Sequence, residues 1–88
     1  MFYVYLLLCG DGTFYTGYAA DLEERLKKHN LGIASKYTRS RRPVQLVYFE
    51  ILPDRGSAMR RENAIKRMSR QQKKLLINGS GARWQCPG

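Results

Sequence analysis

At 88 residues the chain has room for one modest core, and its sixteen Lys and Arg against seven Asp and Glu give a net charge of +9 and a pI near 10.0. Such a field draws polyanions, of which nucleic acid is the commonest, although a basic surface serving only solubility would have the same composition. Met1 runs directly into alternating strand residues without a basic leader, and no apolar run approaches membrane-spanning length, so secreted and membrane classes are excluded in expectation and the cytoplasm is the expected location.

Residues 2–8, FYVYLLL, and 13–18, TFYTGY, are aromatic and branched, with GDG between them, and predict a β-hairpin. A two-residue Asp11-Gly12 turn would send Tyr5 and Tyr15 to opposite faces. A three-residue loop, Gly10-Asp11-Gly12, closed by Cys9 opposite Thr13, instead sets Tyr5 opposite Gly17 and Tyr15 opposite Leu7 on one face, with open space at Gly17 beside the Tyr5 ring. DLEERLKKHN (21–30) predicts a helix capped by Asp21 and Glu24, with Leu22 and Leu26 as its buried stripe. GIASKYTRSRRP (32–43) reads as an irregular basic loop able to hold one helical turn. VQLVYFEIL (44–52) is the third strand and SAMRRENAIKRM (57–68) the second helix; Ser69 and Gln72 cap a third, RQQKKLLIN (70–78), which Gly79 ends. Residues 79–88, with Trp84 and Cys86, are expected to be a flexible tail. Cys9 and Cys86 stand far apart and outside any CxxC spacing, so neither a disulfide framework nor a zinc site is indicated and both are expected as free thiols. The expected fold is α+β, a three-stranded, mainly antiparallel sheet flanked by three or more helices in the order ββα(loop)βαα.

Several polar residues fall beside the apolar stripes. With Leu22 at zero on a helical wheel, Arg25 lies near about 300° and His29 near about 340°, while Glu23, Glu24, Lys27 and Lys28 face water. Plain structural roles remain open: a boundary histidine, and an Arg25 paired with Asp21. Glu62 borders the buried side of its helix amid Arg60, Arg61, Lys66 and Arg67, where it fits either a lone divalent-metal ligand or a partner of Lys66. The phenols of Tyr5 and Tyr15 are either polar handles or core filling.

Together these residues resemble the GIY-YIG nuclease family, small stand-alone bacterial type, over about residues 2–78. The first signature element reads Tyr3-Val4-Tyr5 and the second Tyr15-Thr16-Gly17, supported by DLxxRLxxHN and by ExxIK. The resemblance implies a nuclease domain over 1–78, nucleoid-associated in a bacterial cytoplasm, with catalytic residues Tyr5, Tyr15, Arg25, His29, Glu62 and Asn78. Glu62 would hold one Mg²⁺ or Mn²⁺, and Tyr5 would act as base on the attacking water, or position it. Arg25 would clamp the scissile phosphate, Tyr15 and His29 would orient water or phosphate, and Asn78 would support them. Lys36, Arg39, Arg41 and Arg42 in the loop, with Arg60, Arg67, Lys73 and Lys74 on the later helices, are expected to follow phosphates, and Tyr37 either to stack a base or to anchor the loop.

The implied function is metal-dependent endonucleolytic hydrolysis of DNA, structure-selective or single-strand-acting, in repair, recombination or processing. An RNA substrate and a targeting protein partner remain compatible, and no membrane partner is expected. The alternative is a nucleic-acid-binding module that keeps the fold without turnover.

Overall fold

The computed structural model describes residues 1–79 and orders them as strands β1 (Phe2–Leu8) and β2 (Phe14–Ala19), helices α1 (Leu22–Leu31) and α2 (Lys36–Arg39), strand β3 (Gln45–Leu52), and helices α3 (Arg55–Lys66) and α4 (Arg70–Gly79). The tail expectation, with Trp84 and Cys86, falls from residue 80 onward outside the described residues. The sheet is antiparallel throughout, in the order β2-β1-β3, so the first strand becomes the central one. Its run of consecutive buried residues, Val4 to Leu7, follows from having strands on both sides and helices on both faces.

The hairpin closes through the three-residue loop expected from parity. The Cys9 amide donates to the Thr13 carbonyl at 2.8 Å, and Tyr5 pairs with Gly17 and Leu7 with Tyr15. Gly12 takes a φ of 85°, a left-handed conformation that glycine tolerates. Alternation along β1 then divides the core. Val4 and Leu6 pack with Tyr48, Ala58 and Ile65 beneath α3, while Tyr5 and Leu7 pack with Cys9, Ala19 and Val44 on the side covered by α1. Cys9 is a buried free thiol.

Caps account for the helix starts. Asp21 accepts from the Glu24 amide at 3.0 Å; Ser69 and Gln72 form a reciprocal capping box. α3 begins two residues before the expected Ser57, because Asp54 accepts from the Ser57 amide at 2.8 Å and so serves as its cap. The loop between α1 and β3 forms a single helical turn, α2, capped by Ser35. Among the described residues, no helix is long and apolar enough to cross a membrane.

Candidate active site

α1 is where the expected stripe is corrected. Its one buried residue is His29, 1% exposed, whereas Leu22 and Leu26 are only half-buried. The imidazole goes inside because polar partners wait on both of its nitrogens. Nε2 lies 2.9 Å from the Tyr5 hydroxyl and Nδ1 lies 2.8 Å from the Thr38 hydroxyl. The Thr38 hydroxyl donates onward to the Ser35 carbonyl at 3.3 Å, so towards His29 it accepts. That assigns the proton to Nδ1 and leaves Nε2 to accept from Tyr5. Burial, and after it the Arg25 guanidinium, lower the His29 pKa to about 4, so the ring is neutral near pH 7. Burial above all, then the neighbouring Tyr15, raises the Tyr5 pKa far above the ordinary phenol value; Arg25 opposes that shift and Glu62 adds to it.

Tyr5 is 2% exposed, and its hydroxyl lies over Gly17 on the outer strand β2. A Cβ at Gly17 would stand 2.6 Å from that hydroxyl oxygen, so the glycine is needed for the approach. Tyr15 meets the His29 ring edge-on at a centroid distance of 5.1 Å. α1 brings Arg25 from one face of the sheet and α3 brings Glu62 from the other, and the charges of both are felt at Tyr5. Arg25 does not pair with Asp21: it is exposed and has no ion-pair partner among the described residues.

Glu62 is 14% exposed and lies 3.7 Å from Lys66. A hard divalent cation suits this donor set. Mg²⁺ and Mn²⁺ take one or two carboxylates and keep several waters, and no group of three His, Cys, Asp or Glu among the described residues offers a fuller cage. On the α3 side of β2 the buried Thr16 hydroxyl lacks a hydrogen-bond partner, an orphaned polar atom on the face from which Glu62 comes.

The remaining residues divide. Asn78 is exposed on α4 and lines a groove with Leu8, Phe14 and Val47. Tyr37 lies between Tyr15, at a centroid distance of 5.8 Å, and the Arg41 guanidinium, 3.9 Å above its ring. Arg41 in turn donates to Asp11 at 2.9 Å and to the Tyr37 carbonyl at 3.0 Å. Arg42 donates to the Arg39 carbonyl at 2.9 Å. Lys36 and Arg39 are exposed at the two ends of α2, which with Ser40 and Arg41 forms a strap over 36–41, while Arg60, Lys73 and Lys74 sit on the helices of the opposite face and Arg67 caps α3. Two residues of the surroundings escaped the sequence reading. Thr38 has no periodic signature, and Asn30, which binds the Val44 backbone through both amide atoms (3.0 and 3.3 Å) and so closes the loop onto β3, enters that reading only as the last residue of DLxxRLxxHN, without a role.

The Tyr5 hydroxyl thus bonds the His29 imidazole, Tyr15 packs against the same ring, and the charges of Arg25 and Glu62 reach Tyr5. A family model of the GIY-YIG catalytic domain matches residues 1–75. The chain belongs to the GIY-YIG family. It is 53% identical over 76 residues to a UPF0213 protein of Staphylococcus saprophyticus, covering 86% of this chain and 93% of that one. A UPF0213 protein of Halobacterium salinarum is 49% identical over 77 residues, covering 88% and 100%. The solution NMR structure of a UPF0213 protein from Bacillus halodurans superposes with a TM-score of 0.60 at 44% identity, covering 94% of this chain and 89% of that one. A second NMR structure, of a protein from E. faecalis, superposes with a TM-score of 0.62 at 37% identity, covering 96% of this chain and 90% of that one. GIY-YIG membership implies a nuclease domain with a nucleic-acid substrate.

Proposed function

We propose that this GIY-YIG domain is a divalent-metal-dependent endonuclease that hydrolyses DNA phosphodiester bonds, acting on single strands or structured DNA in repair, recombination or processing. The observation that carries the reading is the Tyr5–His29–Thr38 hydrogen-bonded chain, whose Tyr5 end lies within the fields of Arg25 and Glu62.

Phosphodiester hydrolysis needs a deprotonated nucleophile and relief of charge on the phosphoryl oxygens. A free Tyr5 phenolate is disfavoured by burial, so the hydroxyl works as a relay. As the attacking water gives its proton to the phenol oxygen, the phenol proton passes to His29 Nε2, and Thr38 keeps hold of Nδ1–H. Arg25 forks onto the scissile phosphate, which it alone of the site residues can grip bidentately. Arg25 also helps depress the His29 pKa, so a phosphate that neutralises the guanidinium makes His29 a better proton acceptor at the moment it is required. A divalent cation held by Glu62 would offset the negative charge that builds on the phosphoryl oxygens. Tyr15 keeps the imidazole edge in place.

Tyr5→Phe and Glu62→Gln, tested on labelled single-stranded and duplex DNA with Mg²⁺ or Mn²⁺, should each lose about 10²-fold or more in rate. Cleavage by both variants at the wild-type rate would overturn the proposal. Matched RNA oligonucleotides as competitors decide the sugar.

A further inference from the structure

At the far end of β2 a cleft of about 350 Å³ is lined by Phe2, Tyr18, Ala19, Ala20, Arg25 and Arg55. Its two guanidiniums come from helices on opposite faces of the sheet and converge only past the end of the outer strand. Arg55 was not among the residues the sequence singled out. Four other cations are committed to carboxylates, Arg41 to Asp11, Arg61 to Glu50, Lys28 to Glu24 and Lys66 to Glu62. Arg25 and Arg55 have neither an ion pair nor a side-chain hydrogen bond among the described residues; Arg55 only rests over the Phe2 ring, 5.7 Å from its centroid. Two free, planar, five-donor cations facing one recess with an aromatic floor are a recognition site for phosphate with a base beside it.

The position connects this recess to the reacting centre. Arg55 and Glu62 are seven residues apart on α3, two turns along one side, or about 10 Å of axis. Gly17, beneath the Tyr5 hydroxyl, precedes Ala20 by three residues, again about 10 Å of extended chain. We infer that the Arg25–Arg55 cleft binds the nucleotide next to the scissile phosphate, Arg55 gripping that nucleotide's phosphate while Arg25 holds the scissile one, with an unpaired base seated against Tyr18 and Phe2. A recess of this volume takes one splayed nucleotide and not a stacked base pair, so the substrate class is single-stranded or frayed DNA. The inference rests on the nuclease reading for its register but concerns binding alone, and is tested without turnover.

Affinity of a fluorescein-labelled oligothymidylate, and of a duplex of equal length, is measured in chelator across a salt series. In this assay Arg55→Gln should weaken single-strand binding by roughly tenfold and lower the log K against log salt slope by about 0.7, the value of one phosphate contact on a single strand. Arg55→Lys, which retains the charge but not the guanidinium, should keep the slope and still lose affinity through loss of the fork. Lys27→Gln, an equal change of charge on the solvent side of α1, should stay within about twofold. The cleft is refuted if Arg55→Gln weakens binding no more than Lys27→Gln, or if duplex and single strand are weakened alike. Arg55-dependent binding without hydrolysis by the wild type would instead refute the nuclease and leave the cleft standing; hydrolysis with a neutral Arg55 does the reverse.

Discussion

Thr38 is a small side chain with a large consequence. A neutral imidazole can place its proton on either nitrogen, and only the Nδ1–H form lets Nε2 accept from Tyr5. The Thr38 hydroxyl, committed as a donor to Ser35, makes that choice. Thr38→Val keeps the volume and removes the acceptor, leaving a buried N–H unpaired, at a cost of about 1–3 kcal/mol in stability. The ring would then populate the other tautomer, with its proton facing Tyr5. Nitrogen-15 NMR of the imidazole should report one tautomer in wild type and a mixture in Thr38→Val, and Thr38→Ser should restore the wild-type spectrum. An unchanged Thr38→Val spectrum would show that Tyr5 alone selects the tautomer.

The hairpin turn is gripped from both faces. From one side Arg41 reaches Asp11 while its carbonyl accepts from the Gly10 amide at 2.7 Å; from the other Arg70 donates to the Gly12 carbonyl at 2.6 Å and lies over Phe14. The Arg41 side matters more for the site, because the same arginine covers Tyr37, which backs Tyr15, and shares the strap with Thr38. An exposed ion pair contributes little alone; a guanidinium serving a carboxylate, a carbonyl and an aromatic ring together holds an element that is one turn long. With Arg41→Ala, amide exchange over residues 36–41 should quicken by at least about tenfold while β1 amides stay unchanged. Equal acceleration in both would mean that the strap is no separate unit.

For the whole domain the buried histidine couples the site to folding. His29 has a pKa near 4 when folded and an ordinary value of about 6.5 when unfolded, so between these values the unfolded chain binds more protons. Its contribution to stability is therefore complete above about pH 6.5 and is lost as pH falls towards 4. The melting temperature should drop over that window, and His29→Gln, less stable at neutral pH, should drop less steeply. Parallel profiles would mean that carboxylates such as Asp54, whose cap holds its pKa below the usual range, dominate the acid response. The net charge acts at the same level: acids are few and largely used in caps and internal pairs, so the exterior field stays positive around both the edge site and the opposite helices.

Period and capping chemistry are local, which is why three strands, the long helices and the Cys9–Thr13 closure could be read directly from the chain, and with them the shared face of Tyr5 and Tyr15. The same local logic flagged Arg25, His29 and Glu62 as polar residues crowding apolar stripes. Depth was not legible. A helical wheel ranks side chains by hydrophobicity and so placed Leu22 and Leu26 inside, whereas His29 is the residue that is buried, because Tyr5 and Thr38, 24 and 9 residues away in the chain, satisfy both of its nitrogens. The partners of Arg41 and the cleft shared by Arg25 and Arg55 likewise depend on which faces of the sheet the helices cover. Each is a contact between groups distant in sequence, set by packing, and packing has no period that a linear chain displays.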